Sequence, residues 1–360
     1  TINDSMSLKL DLPTIFVVPP VMFDRQRGVN IAEIEFPAYY NYFLLKRRTR
    51  LVVGSASAEL ALRTILEQSL FGPSESRVDE EFRADYPMDG RPDFKKECEY
   101  FRRGPRGRLV VDELVEFLQL GAGETLALGE GVALEHLAEG GHRVLHDGRV
   151  LAVVPDKVRL PPGPDGLLEA STIPFNPPAF GLTVLGSSHG FDPHGRTTGF
   201  VLWVGHRGVL VDPPVDATED LRGKVGTKVV DSVILTHCHA DHDAGTFQKI
   251  LEEGRITLYT TPTILGSFLR KYSALSGISE DMLRRTFQFH AVKIGEPLPV
   301  HGGEVRFFYT LHSIPTLGFD LSAQDRHMKS ERAHFAVVGE GTATAQENYR
   351  RGWERIFRCS

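Results

Sequence analysis

The run Val233-Ile234-Leu235-Thr236-His237-Cys238-His239-Ala240-Asp241-His242-Asp243 decides how the rest of the chain is read. Its first part continues an apolar, β-branched stretch that begins at Asp231-Ser232, the composition of a buried strand. Its second part puts three imidazoles and a carboxylate into the six residues His237 to His242. From Ala244 to Leu251 the pattern becomes that of a starting helix. The strand fixes the base of such a loop and the loop supplies curvature, so several side chains can be aimed at one point. Neutral imidazole nitrogens and carboxylate oxygens suit Zn²⁺ and neighbouring first-row metals. The competing reading is a chance cluster of surface histidines. A His-x-His-x-Asp-His block directly after an apolar strand argues against it. Cys238 lies between two candidate ligands, but neighbours alternate in direction there, so its thiol is expected to face away from them.

Through His237, His239, Asp241 and His242 the chain resembles the metallo-β-lactamase superfamily, whose metal loop has the same wording. The resemblance implies an α/β fold, an αββα sandwich, over residues 179–360, with a one- or two-metal site at one edge. Leu182–Gly186, Gly199–Gly205 and Gly208–Asp212 stand where that family has its first three strands. Asp212 would then orient the metal loop from behind. A turn residue before Pro213-Pro214 is the alternative. His312 closes the strand Glu304–Thr310 and, by the same resemblance, supplies the next metal ligand. The wording His312-Ser313-Ile314-Pro315, with Gly318-Phe319 after it, is similar to the branch that cleaves phosphodiesters, including tRNA 3′-processing endonucleases and some cyclic-nucleotide phosphodiesterases.

By this resemblance His237, His239 and His312 hold a first metal, and Asp241 and His242 a second. Two zinc ions are the expectation, with manganese or iron as alternatives. Asp241 is also the candidate catalytic residue, orienting a water nucleophile whose pKa the metals lower to about 7. Here the pattern departs from the family, which next supplies a bridging Asp after a further hairpin, and then a last His. Asp320 and Asp325 both come early for that return; Asp325 is the preferred bridging residue, with His334 closing the second metal. The substrate expected is a phosphodiester, an RNA 3′ end or a cyclic nucleotide. Two rivals stand beside this reading: a thioester or ester hydrolase of the glyoxalase II type, and a non-catalytic scaffold on a degenerate metal site.

Composition fits these readings. The chain has 360 residues, 41% hydrophobic and 24% charged, ordinary for a globular protein with a sizeable core. A formal net charge of -6 gives no overall attraction to nucleic acid or an anionic membrane. Cys98, Cys238 and Cys359 are far apart and odd in number, which points to a reducing compartment rather than a disulfide framework. The expectation is a cytoplasmic protein, or an organellar one if a transit peptide has been removed. No apolar run approaches the length of a membrane span, and the start, Thr1-Ile2-Asn3-Asp4-Ser5, is not a signal peptide.

The first half, residues 1–155, reads as a separate α+β domain of unknown role. Thr14–Val18 is a strand, and Ala58, Ala61, Leu62, Ile65, Leu66 and Leu70 form one apolar face of a helix over 55–71, capped by Ser55 or Ser57 and stopped by Gly72-Pro73. Lys46-Arg47-Arg48-Thr49-Arg50 lies beside aromatics, a pairing that nucleic-acid surfaces use, though a solvated charged edge is the commoner meaning. Arg102–Arg108 reads as an exposed loop, Leu109–Val111 as a strand, and Asp112 to Gly121 as a short helix. The glycines from Gly121 to Gly129 have the wrong spacing for a dinucleotide loop and read as turns, with Val150–Val154 a last strand. Residues 156–178 are a proline-rich linker. Gly186-Ser187-Ser188-His189-Gly190 matches a nucleophile elbow in wording, but a proline-containing loop follows where the elbow needs a helix. By the family resemblance His189, Asp192 and His194 become candidates for groups near the metal loop, with an ordinary polar loop as the alternative for each. At the other end, Thr342 to Phe357 reads as a helix that packs Trp353 and Phe357 inward.

Overall fold

Strands buried on both faces need apolar residues at every position, and Gly199–Val204 meets that condition throughout. It lies in a six-stranded sheet ordered Phe180–Gly186, Gly199–Val204, Arg207–Val211, Val230–Ile234, Thr257–Thr260 and Gln288–Ala291. The first three strands form an antiparallel meander, and from Arg207–Val211 onward neighbours are parallel. Parallel neighbours need crossovers, and the helices Ala240–Glu253 and Pro262–Ser276 provide two of them. Right-handed crossovers place both helices on one face of the sheet. A second, antiparallel sheet runs Pro297–Val300, Gly303–Thr310, Thr316–Ala323, Arg326–Glu331 and His334–Val337. Trp203 from the first sheet, Phe307 and Phe319 from the second, and Phe247, Phe268 and Tyr272 from the helices meet in one apolar core. This computed structural model describes residues 12–24, 29–74, 77–87, 91, 93–104, 107–157, 175–191, 195–218, 221, 230–323, 326–331 and 334–337. The α/β sandwich of two sheets expected from the metal loop is present.

The first half builds a three-stranded parallel sheet, Ile15–Val17, Thr49–Val53 and Val115–Gln119, and a four-stranded meander, Thr125–Gly129, Val132–His136, His142–His146 and Arg149–Val154. The expected amphipathic helix spans Ala56–Leu66 and continues as a wider turn to Phe71; Ser55 caps it by accepting from Ala58 N at 3.2 Å. Two expectations are corrected. Val111–Leu114 is a single helical turn, and the chain then enters Val115–Gln119 as a strand, because Val115 and Phe117 pack better on a pleated face than in a helix. Likewise Thr125–Gly129, read as turns for its glycines, is a strand whose glycine falls at the hairpin end. Ala32, Ile65, Val78 and Phe82 belong to the same core as the sandwich, and Ala56–Leu66 packs against Pro262–Ser276.

The arginines of the basic run at 46–50 are tied to the fold's own acceptors, while Lys46 and Arg48 stay exposed. Arg47 bonds Asn41 and the Leu12 carbonyl, Arg48 bonds the Asp112 and Val115 carbonyls, and Arg50 reaches the Leu128 carbonyl. Arg102 is buried against the Phe71 and Gly72 carbonyls, while Arg103–Gly104 and Gly107–Arg108 pair as a short hairpin. Most of the linker, together with Asp192, His194, Asp325 and the helix expected from Thr342 to Phe357, lies outside the described residues. Among the described residues no helix is long and apolar enough to cross a membrane.

Candidate metal centre

The strand Val230–Ile234 ends in the loop Leu235–His239, and the helix Ala240–Glu253 starts at once. The loop holds His237 and His239, the first turn of the helix holds Asp241 and His242, and the loop Leu311–Pro315 between two strands of the second sheet brings in His312. His239 Nδ1 lies 3.1 Å from His237 Nε2 and 3.1 Å from His312 Nε2. Three ring nitrogens therefore face one point. The edge of a tetrahedron of Zn–N bonds of about 2.0–2.1 Å is about 3.3 Å, so the donor set fits a metal of that size. Asp212, His237 and His242 make a second grouping, with ligand atoms within 4.8 Å of one another.

The partners of each ring fix its tautomer. Thr236 Oγ1 has one proton and gives it to Asp212 Oδ2, so at 2.8 Å from His237 Nδ1 it must accept. His237 then carries its proton on Nδ1 and turns the Nε2 lone pair to the cluster. His242 Nδ1 donates to Asp212 Oδ2 at 3.0 Å, which turns its Nε2 towards Asp241 Oδ2, 3.6 Å away. Asp212 also accepts from Thr236 N at 2.9 Å, and it is fully buried with φ 42°. A left-handed backbone costs a side-chain-bearing residue about 1–2 kcal/mol, which these hydrogen bonds offset. The helix sits so close behind Asp212 that Gly245 admits no side chain: a Cβ there would lie 2.0 Å from the Pro213 carbonyl.

Burial keeps His237 and His239 in the neutral form that binds metals. It pushes the His237 imidazole well below its ordinary value and takes His239 down to about 3, with His242 adding to both. Burial pulls at His242 too, but the carboxylates of Asp241 and Asp212 outweigh it and raise that ring to about 9.

Asp241 lies beside the cluster but in neither ligand grouping among the described residues; its Oδ2 accepts from Gly190 N at 3.1 Å. That bond brings the His189–Phe191 loop to the edge of the cluster, and His189 Nδ1 accepts from Phe191 N. Ser188 sits on a bridge to Thr197 with no helix after it, so it forms no elbow. The Cys238 thiol points the other way, to the Ile264 carbonyl. Asp320 lies in mid-strand, paired with Arg306 and Lys329, and is in neither ligand grouping among the described residues. His334 opens the last strand, opposite Glu331.

Sequence reasoning missed the groups beneath the loop. Lys271 is fully buried and donates to the Cys238 carbonyl at 2.8 Å and to both oxygens of Asp243, at 3.1 and 2.9 Å. Tyr272 also donates to Asp243, and Glu35 accepts from Ala240 N at 2.6 Å. Lys271 was detectable, because it shares the buried helical stripe of Ile264, Phe268 and Leu275. Glu35, in Ile34-Glu35-Phe36, carries no such signal.

Residues 207–344 match the family described as the beta-lactamase superfamily domain. A Dictyostelium discoideum protein named cGMP-dependent 3′,5′-cGMP phosphodiesterase A is 35% identical over 89% of this chain and 51% of its own length. A second from that organism, named cAMP/cGMP-dependent 3′,5′-cAMP/cGMP phosphodiesterase B, is 31% identical over 86% of this chain and 33% of its length. The chain thus spans about half or less of the curated relatives it matches. Among solved structures, human tRNase Z short form is similar at 20% identity and TM-score 0.34, covering 44% of this chain and 71% of that one.

Proposed function

We propose that this chain, whose residues 207–344 form a β-lactamase superfamily domain, is a metal-dependent phosphodiesterase that hydrolyses a 3′,5′-cyclic nucleotide. The observation that carries the reading is the convergence of His237, His239 and His312 nitrogens at 3.1 Å beside the Asp212–His242–Asp241 row. The phosphodiesterase names of both curated relatives support this bond type over a thioester, and a cyclic nucleotide over an RNA 3′ end.

His237, His239 and His312 would hold a first ion, and Asp241 and His242 a second, zinc in both, with manganese or iron as alternatives. Asp325 and His334 remain the proposed completion of the second position. Bound divalent metal supplies a Lewis acid for the phosphate charge and acidifies a water at neutral pH. The chain's own residues do the rest. Asp212 holds the His242 ring by its Nδ1 and ties the loop at Thr236, so the ligands stand ready before anything binds. Asp241, fixed by the Gly190 amide, offers a carboxylate oxygen to orient the attacking water and accept its proton.

The test is hydrolysis by the purified chain, stripped with a chelator and reloaded with zinc or manganese. The substrates are cGMP, cAMP, a pre-tRNA 3′ end and a thioester, and metal per chain is measured by elemental analysis. Expected are close to two equivalents of metal, turnover of a cyclic nucleotide, and loss of turnover on stripping. Thioester turnover alone would overturn the phosphodiester reading. No turnover with both metals in place would hand the site to the scaffold reading.

A further inference from the structure

A helix begins with amides that have no acceptor within it, and the residue at its N-cap normally supplies one. For Ala240–Glu253 that residue is His239, and its side chain makes no cap hydrogen bond. Its ring is turned into the imidazole cluster instead. The first amide of the helix is instead held from 205 residues away: Glu35 Oε1 accepts from Ala240 N at 2.6 Å. The other Glu35 oxygen lies 3.6 Å from Lys271 Nζ, which holds the Cys238 carbonyl and the Asp243 carboxylate. The positions held in this way, 238, 240 and 243, interleave with the proposed ligands 237, 239, 241 and 242. Each ligand is therefore flanked by a residue anchored from the side away from the cluster.

The device recurs at the next helix. Glu81, also from the first half of the chain, accepts from Thr263 N at 2.6 Å and from the Tyr309 hydroxyl. Tyr309 lies on the strand that leads to His312. Both segments that carry the imidazole cluster are thus tied to buried carboxylates from outside the sandwich.

We propose that Glu35 is a positioning residue of the metal centre, holding from outside the sandwich the first amide of a helix whose own N-cap side chain is turned to the metal cluster. The first half of the chain is then a working part of the site, with Glu35 as its point of action. This rests on the metal-dependent reading above.

The test uses the full chain with metal removed. Co²⁺ uptake is followed by its visible absorption band, Zn²⁺ affinity by competition, and folding by thermal melting of the metal-free protein. Glu35→Ala is expected to melt cooperatively, bind Zn²⁺ about 10–100-fold more weakly, and shift the cobalt band. Glu35→Gln keeps an oxygen for Ala240 and is expected to restore most of the affinity and the band. If Glu35→Ala fails to melt cooperatively, Glu35→Asp, one methylene too short to reach Ala240, is read in its place with the same expectation. Unchanged affinity and an unchanged band in the readable variant would overturn the proposal. A wild-type chain that takes up no metal at all would instead sink the metal reading on which it rests.

Discussion

The sandwich contains two strand-to-helix junctions side by side, and they are built differently. Thr257–Thr260 passes into Pro262–Ser276 through Thr261 alone; Thr261 caps by accepting from Ile264 N, and Pro262 starts the helix. Val230–Ile234 reaches Ala240–Glu253 through five residues, and its N-cap is a histidine that caps nothing. The first junction carries its own cap, Thr261 on Ile264 N, and takes one outside acceptor, Glu81 on Thr263 N. The second has given its cap residue over to chemistry and is stabilised from elsewhere, by Asp212, Lys271 and Glu35. Local consistency is broken where the function lies, and the compensation sits outside the motif.

The strongest way to break this contrast is to remove a ligand. His239→Ala should lower turnover more than about 100-fold, beyond the loss expected for a group that only supports a ligand. Melting of the metal-free protein should change little, since His239 caps nothing. A variant that keeps its turnover would mean that the cluster is not the site. Asp241→Asn comes next. Asn keeps an oxygen for the Gly190 amide but loses the charge, so kcat should fall by roughly 100-fold and the second metal equivalent should weaken, while the first metal and melting hold. Full turnover with intact metal would remove Asp241 from the chemistry.

The histidine-rich junction was legible in the sequence because metal ligands must be of a few residue types at close spacing, and the strand before it follows a simple apolar pattern. Asp212 was legible through the family order alone; its backbone strain and its grip on Thr236 appear only in three dimensions. Glu35 was not legible at all. Its contact partner is 205 residues distant, and nothing in Ile34-Glu35-Phe36 separates a buried acceptor from a surface carboxylate. The strands Val115–Gln119 and Thr125–Gly129 were missed for a related reason: capping residues and glycines gave local signals that pairing with Thr49–Val53 and Val132–His136 overrode.

Acidity separates the two junctions by a smaller amount. Burial raises Glu35 from its ordinary 4.5 to about 7, against the pull of Lys271. A carboxyl whose folded value is raised contributes stability that is complete below about 4.5 and lost as pH rises through about 7. In the metal-free protein, wild type should therefore lose stability relative to Glu35→Gln across that window, by roughly 1–3 kcal/mol. Denaturant midpoints at pH 5 and pH 8 measure it, and parallel curves for the two proteins would show that Glu35 does not titrate there.

The smallest effect is the most diagnostic of the difference in design. Thr261→Ala removes a cap that its own helix supplies, together with the hydroxyl's 3.0 Å contact with Tyr309, and touches no proposed ligand directly. It should cost about 1 kcal/mol of stability, as N-cap losses do, and leave zinc affinity where it was. Glu35→Ala removes the outside hold on the first amide of the neighbouring helix and should do the reverse in emphasis, with metal affinity falling further than stability. If Thr261→Ala weakened metal binding as much as Glu35→Ala, the two junctions would be one mechanical unit. The asymmetry between a helix start that keeps its own cap and one whose cap residue has been spent on a ligand would then not hold.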